Sequence, residues 1–140
     1  MKIVIDSNRV LAAMIKDRTT RKILLDNMFE FVAPDYILTE LRKYEDRVLK
    51  VSGITKYEFE ILLAIIFENI TTIPETEYRE LIEQLKAEIS DSKDLAYIAA
   101  CLASKACGIW THDPHFKEQN KVNFFTNIDM LRFSGEAKPD

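Results

Sequence analysis

Short apolar runs alternate along the chain with longer segments in which apolar residues recur at helical spacing. The runs are rich in β-branched and aromatic side chains, and they cover residues 3–5, 31–33, 70–73, 108–112 and 122–125. Strands buried on both faces read as continuous apolar runs, and strands joined through helices lie parallel. The alternation therefore predicts an α/β fold with a parallel sheet of about five strands, right-handed crossovers and helices on both faces.

Helices are predicted between these runs from the apolar spacing and from residues that can cap helix ends. They are expected at residues 8–16, from 19 or 20 to 29, at 35–53, from 55 onward, and at 76–89, 94–106 and 128–133. Asp35 is expected to cap one long helix that ends at Gly53. Gly108 is expected to end the helix 94–106 in a left-handed conformation, which glycine adopts without strain.

Length and composition indicate one globular domain. The chain has 140 residues, of which 47% are hydrophobic and 30% are charged, and its formal net charge is −4. We expect a domain at residues 1–133 and a flexible tail at 134–140.

The apolar runs are too short for a transmembrane helix or a signal-peptide core. Cys101 and Cys107 are expected nearly opposite each other on one helix, where they cannot pair, so a reduced cytoplasmic protein without a membrane partner is predicted.

Four acidic residues fall where predicted strands end or predicted helices begin. Asp6 and Asp113 each follow a strand, and Asp94 lies in the first turn of a helix. Glu40 points along the apolar stripe of its helix, where a carboxylate needs a partner. Because the carboxyl ends of parallel strands share one edge, these carboxylates are expected to meet there. Clustered carboxylates repel one another, and oxygen ligands favour Mg²⁺ or Mn²⁺ over zinc, so the sequence predicts a divalent metal site.

Four segments of the chain carry a resemblance to a known family. They are residues 3–8 (IVIDSN), 39–41 (TEL), 91–94 (DSKD) ahead of an alanine-rich helix, and 110–116 (WTHDPHF). In this order and at this spacing, the chain resembles the PIN-domain family of metal-dependent ribonucleases from Met1 to about Leu131. It departs from the family's pattern at His112, where Asn or Gly is more common.

The resemblance implies a three-layer α/β/α sandwich that hydrolyses RNA with Mg²⁺ or Mn²⁺ held by four carboxylates. The implied catalytic and metal-binding residues are Asp6, Glu40, Asp94 and Asp113. The implied supporting residues are Asn8, Asp91 and Thr111. Many small PIN proteins are toxins of the VapC type that an antitoxin holds inactive, so the resemblance also implies an antitoxin partner.

The same residues also bear on other possible functions. A catalytically silent PIN-like module that binds RNA or protein is an alternative, in which His112 or a misplaced Glu40 spoils the metal site. A phosphatase of the haloacid dehalogenase type needs a second aspartate where Asn8 stands. His112 and His115 are too few for a zinc site, and the first strand is not followed by a glycine-rich loop, so dinucleotide and P-loop sites are excluded.

Two surface features bear on binding partners. Basic residues must offset the acidic site if RNA is to bind, and each basic cluster also suits plain solvated surface. The candidates are Arg21, Lys22, Arg42 and Lys43, with Lys16, Arg18, Arg47, Lys117 and Lys121 as further members. The run 61–67 is apolar on all sides of its helix, which exceeds what one core face needs. It predicts either a homodimer or antitoxin interface or deeper burial within the domain.

Overall fold

The computed structural model describes residues 1–135, which form one five-stranded sheet and its covering helices. In chain order the elements are β1 (Lys2–Ile5), α1 (Ser7–Met14), α2 (Arg18–Leu24), β2 (Glu30–Pro34), α3 (Tyr36–Lys43), α4 (Glu45–Ser52), α5 (Lys56–Phe67), β3 (Ile70–Ile73), α6 (Glu75–Leu85), α7 (Ser92–Ser104), β4 (Ile109–Trp110), β5 (Phe124–Phe125) and α8 (Asn127–Phe133). A short 3-10 helix, Pro114–Glu118, lies between β4 and β5.

The strands run parallel in the order β3-β2-β1-β4-β5. The chain adds β2 and β3 on one side of β1 and then crosses to the other side for β4 and β5. With right-handed crossovers, this topology puts α1 to α5 on one face and α6 and α7 on the other. The helix contacts agree, because α1 packs on α2, α3 and α4, α8 returns to α2, and α6 packs on α7. The predicted α/β/α sandwich is confirmed.

Helix α7 lies closest to the middle of the sheet, where it contacts β1, β2 and β4. It is buried along most of its length, and small side chains such as Ala99 and Ala100 let the helix approach the strands closely. A helix that returns the chain between parallel strands runs antiparallel to them. The first turn of α7, which carries Asp94, therefore lies at the carboxyl edge of β1.

The long helix expected at 35–53 is in fact two helices, α3 and α4, separated at Tyr44. The backbone of Tyr44 has φ −104° and ψ 5°, outside the α-helical region, and its N–H donates to the Leu41 carbonyl at 3.1 Å in a tighter turn. The new helix begins with Glu45 and Asp46, whose negative charges suit a helix N-terminus. The break changes the direction of the chain, so α4 presents a different face from the one a continuous helix would present.

The prediction that Asp35 caps this helix is wrong, because its side chain makes no capping hydrogen bond to α3. Its carboxylate instead accepts hydrogen bonds from the backbone N–H of Glu75 at 3.1 Å and from the Tyr78 hydroxyl at 2.6 Å. The end of β2 is thereby tied to the start of α6, two elements far apart in sequence. Burial and this hydrogen bond both raise the pKa of Tyr78, so its hydroxyl stays a donor.

Other helix ends also differ from the expected ones. Helix α2 is capped by Asp17, whose carboxylate accepts from the Thr20 N–H at 3.0 Å, and it ends at Leu24 rather than Phe29. Helix α6 ends at Leu85 rather than Ile89. Helix α7 starts after Asp91, which caps it, and β4 and β5 have two residues each. The starts of α2 and α7 follow the side chains that cap them, which spacing alone does not resolve.

Gly108 has a different role from the one expected of it. The left-handed residue at the end of α7 is Lys105, with φ 57°, rather than Gly108. A Cβ on Gly108 would lie 2.6 Å from Cε2 of Phe125 and 2.8 Å from the backbone oxygen of Asn123. Glycine is therefore needed here because β5 passes too close for any side chain.

The two cysteines differ in their exposure to solvent. Cys101 is buried in α7, whereas Cys107 lies beyond the end of that helix and is exposed, so the two do not share a helix; both are free thiols.

Helix α8 ends before Ser134, and residues 136–140 of the expected tail lie outside the described residues. None of the helices within residues 1–135 has the length and apolar character that crossing a membrane requires.

Candidate active site

A pocket of about 390 Å³ lies at the carboxyl edge of the sheet, where β1 and β4 end. Its lining includes the four predicted carboxylates, which come from four separate segments. They are Asp6, Glu40, Asp94 and Asp113, and the predicted supporting residues Asn8 and Asp91 line the same pocket. The structure thus brings these six residues together, and the seventh, Thr111, lies directly behind them.

The Thr111 hydroxyl organises the carboxylate of Asp6. It accepts hydrogen bonds from the Asn8 side-chain amide at 3.3 Å and from the Asp113 backbone N–H at 2.9 Å. Its own hydrogen is therefore directed to the Asp6 carboxylate, at a distance of 2.6 Å. The end of β1, the start of α1 and the end of β4 are held together by this one buried hydroxyl.

Arg9 extends this network on the side away from the pocket. Its Nε donates to the side-chain oxygen of Asn8 at 3.2 Å, which fixes the orientation of the Asn8 amide. Its Nη1 donates to the Thr20 hydroxyl at 3.3 Å, and both Arg9 and Thr20 are buried. Sequence reasoning missed both residues, because nothing in the local pattern separates a buried arginine from the surface ones.

Glu40 is buried and bonded, as its place on the apolar stripe suggested. The Tyr97 hydroxyl donates to Glu40 Oε1 at 2.5 Å. Burial, together with the nearby Asp6 and Glu40, raises the pKa of Tyr97, so the hydroxyl remains protonated. Tyr97 was also missed, although its position three residues after Asp94 puts both on one face of α7.

Asp91 and Asp113 have local hydrogen bonds besides their places in the pocket. Asp91 accepts from the Lys93 N–H at 2.9 Å and so caps α7. Asp113 accepts from the His115 N–H at 2.9 Å, and its Oδ1 lies 3.0 Å from Nδ1 of His115. Each carboxylate is therefore held in place by the turn in which it lies.

Burial and mutual repulsion disfavour the ionised forms of Asp6 and Asp94 in the pocket. Burial raises the pKa of Asp6 to about 6, and repulsion from Glu40 and Asp113 adds to the shift despite the Thr111 hydrogen bond. Burial raises the pKa of Asp94 to about 7, with further repulsion from Asp91, Asp113 and Asp6. A bound cation would relieve both effects.

The donor set fits a hard divalent cation better than zinc, because carboxylate and amide oxygens predominate. Within residues 1–135, however, no three acidic, histidine or cysteine side chains already stand in an arrangement that holds a metal ion. Asp6 and Glu40 are instead engaged by the hydroxyls of Thr111 and Tyr97.

The basic residues closest to the pocket are not the ones that the sequence favoured. Arg47 of α4 and Lys93 of α7 line the pocket, whereas Arg21, Lys22, Arg42 and Lys43 do not. Lys93 was missed, because it stands between two aspartates and reads as part of an acidic segment.

Arg42 in particular is neutralised by its neighbours. It bonds Glu45 at 2.7 Å and forms a bidentate ion pair with Glu60. Its guanidinium also lies over the ring of Phe59, 5.7 Å from the centroid. Lys43 lies over the ring of Tyr36, at 5.8 Å. The charge of Arg42 is thus largely compensated within the domain.

The apolar run 61–67 divides between the core and the surface. Leu63 and Ile66 are buried, and Phe67 is half-buried. Tyr57, Ile61 and Ile65 are 75%, 44% and 49% exposed, and their spacing of four puts them on one side of α5. We call these three residues the outer face of α5.

Comparisons with known proteins place this architecture in a family. No curated protein matches the chain. The family model of the PIN domain matches residues 4–122, a span that runs from β1 to just before β5 and includes all four carboxylates of the pocket. PIN domains are generally nucleases, and they typically use divalent metals. With most of its length matched in this way, the chain belongs to the PIN-domain family.

Proposed function

We propose that the protein is an Mg²⁺- or Mn²⁺-dependent endoribonuclease that hydrolyses phosphodiester bonds of RNA. The observation that carries the proposal is the convergence of four carboxylates from distant segments on one pocket. The raised pKa values of Asp6 and Asp94 support it, because they mark a site that favours a cation. The family supports it as well, since PIN domains are generally nucleases.

In this proposal Asp6, Glu40, Asp94 and Asp113 would hold the metal, which when bound would make water a better nucleophile and offset negative charge on the phosphate. Thr111 orients Asp6 by donating to its carboxylate. Tyr97 holds one oxygen of Glu40 through its hydroxyl. Arg47 and Lys93 offset the negative charge of an approaching RNA strand at the pocket.

Cleavage of a fluorescent single-stranded RNA tests the proposal. The protein is expected to cut the RNA with Mn²⁺ and to stop when excess chelator is added. Asp113→Asn is expected to be inactive. Asp26→Asn is the matched control, because Asp26 lies on the loop before β2, outside the pocket, and its carboxylate accepts from the Met28 N–H. Activity that persists in chelator, or that survives in Asp113→Asn, contradicts the proposal.

The alternative is a catalytically silent PIN-like module that binds RNA or protein. It would hold if His112 or the position of Glu40, whose Oε1 accepts from the Tyr97 hydroxyl, spoils the metal site. RNA binding without cleavage at any Mn²⁺ concentration would support it. That outcome would also separate a silent module from a protein that does not bind RNA.

We also propose that the nuclease is the toxin of a toxin–antitoxin pair, of the VapC type. The support is the resemblance of the four quoted segments to small PIN proteins, many of which are toxins, together with the PIN-domain match over residues 4–122. Induced expression of the protein in bacterial cells is expected to arrest growth, and Asp113→Asn is expected not to. Equal growth of the two strains at equal protein levels contradicts the toxin role.

The outer face of α5 leads to a prediction about association. If two copies meet there, the protein is a dimer by light scattering, and Ile65→Glu gives a folded monomer because a buried unpaired charge is costly. Leu25→Glu is the control, since Leu25 is 63% exposed at the end of α2. A folded Ile65→Glu variant that stays dimeric means that the interface lies elsewhere, and an unfolded variant means that Ile65 belongs to the core.

The salt dependence of RNA binding should distinguish the basic residues. In an Asp113→Asn background, Arg47→Ala and Lys93→Ala are each expected to flatten the slope of log affinity against log salt by roughly 0.7 units, as for one phosphate contact on a single strand. Arg42→Ala is expected to leave the slope unchanged, because Glu45 and Glu60 already neutralise that charge. If the slopes of all three variants equal that of the parent, RNA approaches by another face.

A further inference from the structure

One part of the pocket has no role in metal or phosphate chemistry. The side of α1 that faces the pocket is polar in its first turn, at Ser7 and Asn8, and apolar farther along, at Leu11, Ala12 and Ile15. A rise of about 1.5 Å per residue puts Ile15 roughly 12 Å along the helix from Ser7. The pocket therefore extends from the carboxylates into an apolar region one to two helical turns away.

The break between α3 and α4 supplies the other side of this region. Tyr44 lies at the break and is half-buried, and Tyr44 and Val48 both line the pocket. Because Val48 is one turn after Tyr44, the two side chains lie on one side of α4. Leu11, Ile15 and Tyr44 are half-buried, and Val48 is fully buried. We call these four residues the apolar wall, in which Leu11, Ile15 and Tyr44 supply the accessible surface.

We propose that the apolar wall binds one unpaired nucleobase of the strand whose phosphate is held at the carboxylates. This inference rests on the proposed function and deepens it, since it names the part of the substrate that fills the rest of the pocket. Nucleobases are planar and stack on aromatic side chains and apolar surfaces without regard to sequence.

The charges beside the wall select this occupant over an apolar peptide or a lipid chain. Arg47 comes one residue before Val48 and lines the same pocket, and Lys93 lines it from α7. A pocket that combines an apolar surface with cationic groups matches the alternation of base and phosphate along a nucleic-acid strand. The pocket volume, about 390 Å³, falls within the range of small-ligand sites.

The proposal makes the pocket selective for single strands. A base inside a duplex is paired and stacked, so it can reach the wall only after unpairing, which costs free energy. A loop or an unpaired end presents its bases freely. Stacking against Tyr44 would therefore contribute to binding of single-stranded RNA and not to binding of a duplex of the same sequence.

The first measurement uses ligands that carry no charge and need no metal. Adenosine and ribose are titrated separately into the ¹³C-methyl-labelled protein, and methyl shifts are followed by NMR. Adenosine is expected to shift the methyl signals of Leu11, Ile15 and Val48, and ribose is expected not to. Ala12→Phe, which fills the region beside the wall, is expected to abolish the adenosine shifts while Mn²⁺ affinity is retained.

The second measurement compares two tyrosines that flank the same helix. Tyr44→Ala is expected to weaken binding of a fluorescent single-stranded RNA about tenfold in an Asp113→Asn background, as for the loss of one stacked base. Tyr36→Ala is the matched control, because Tyr36 begins α3 but lines a different cavity. Duplex RNA of the same sequence is expected to bind both variants equally.

The outcomes separate this inference from the proposed nuclease activity. The base site is overturned if adenosine shifts none of the three sets of methyl signals, or if Tyr44→Ala and Tyr36→Ala weaken single-strand binding equally. In either case Mn²⁺-dependent cleavage would still support the nuclease. Adenosine shifts at the wall in a protein that never cleaves RNA would support the base site and refute the nuclease.

Discussion

Replacing Asp94 with asparagine is expected to weaken Mn²⁺ binding at least about tenfold and to stop RNA cleavage, since even residues that only support a metal ligand cost roughly 10–100-fold. Asp94 lies in the pocket with Asp6 and Asp113, both of which repel its charge. Removing one of these carboxylates removes part of the attraction for a cation. Calorimetric titration with Mn²⁺ measures the loss directly, and Asp6→Asn is expected to behave in the same way.

The control for this experiment is Asp26→Asn, which changes the same functional group outside the pocket. Its Mn²⁺ affinity is expected to equal that of the parent protein. If Asp6→Asn and Asp94→Asn both retain the parent affinity, the metal site is elsewhere and the proposed ligands are wrong. A loss in one variant alone would assign the ion to that side of the pocket.

The metal-free protein is expected to become less stable as pH rises from about 4 to 7. Asp6 and Asp94 have ordinary pKa values of 3.8, which folding raises to about 6 and about 7. Between these values the folded state holds protons that the unfolded state has released, so raising the pH favours unfolding. The penalty is complete above the folded pKa values and absent below 3.8. Urea denaturation in chelator, at several pH values, measures this dependence.

Asp6→Asn is expected to remove part of that penalty. An asparagine oxygen can still accept the Thr111 hydrogen bond that is 2.6 Å long in the parent protein. At pH 8 the variant should be more stable than the parent by about 1–3 kcal/mol, from a shift of about two pKa units at 1.36 kcal/mol each. At pH 3.5 the two should be nearly equal. A variant that is less stable than the parent at pH 8 would mean that Asp6 contributes favourable contacts other than its charge.

The strands of this fold could be predicted from sequence because burial on both faces leaves a simple signal. The run at 31–33 lies within β2, where all three of its residues are buried. Asp6 and Asp113 could be placed at one edge for a related reason, since parallel strands fix where their carboxyl ends lie. The parallel topology alone therefore predicts where Asp6 and Asp113 lie, without any knowledge of contacts between side chains.

Other features depend on contacts between distant segments and could not be read from spacing. The break at Tyr44 interrupts a segment whose apolar residues continue at helical intervals on both sides. Arg9 reads as a surface residue until Asn8 and Thr20 are seen to enclose its guanidinium. Gly108 reads as a helix end, whereas the approach of Phe125 in three dimensions is what excludes a side chain there. The metal-ligand roles themselves stay a prediction.

The position of Cys107 makes the protein convenient to label for single-molecule and fluorescence work. The chain contains two cysteines, and the thiol of Cys101 is shielded, with a pKa that burial raises to about 12. Cys107 is exposed, and its backbone N–H bonds the carbonyl of Lys2, at the amino end of β1. Four residues of strand, roughly 13 Å, separate that end from Asp6. A maleimide dye would therefore attach at one defined point at the amino edge of the sheet, opposite the pocket, and leave the mouth of the pocket clear.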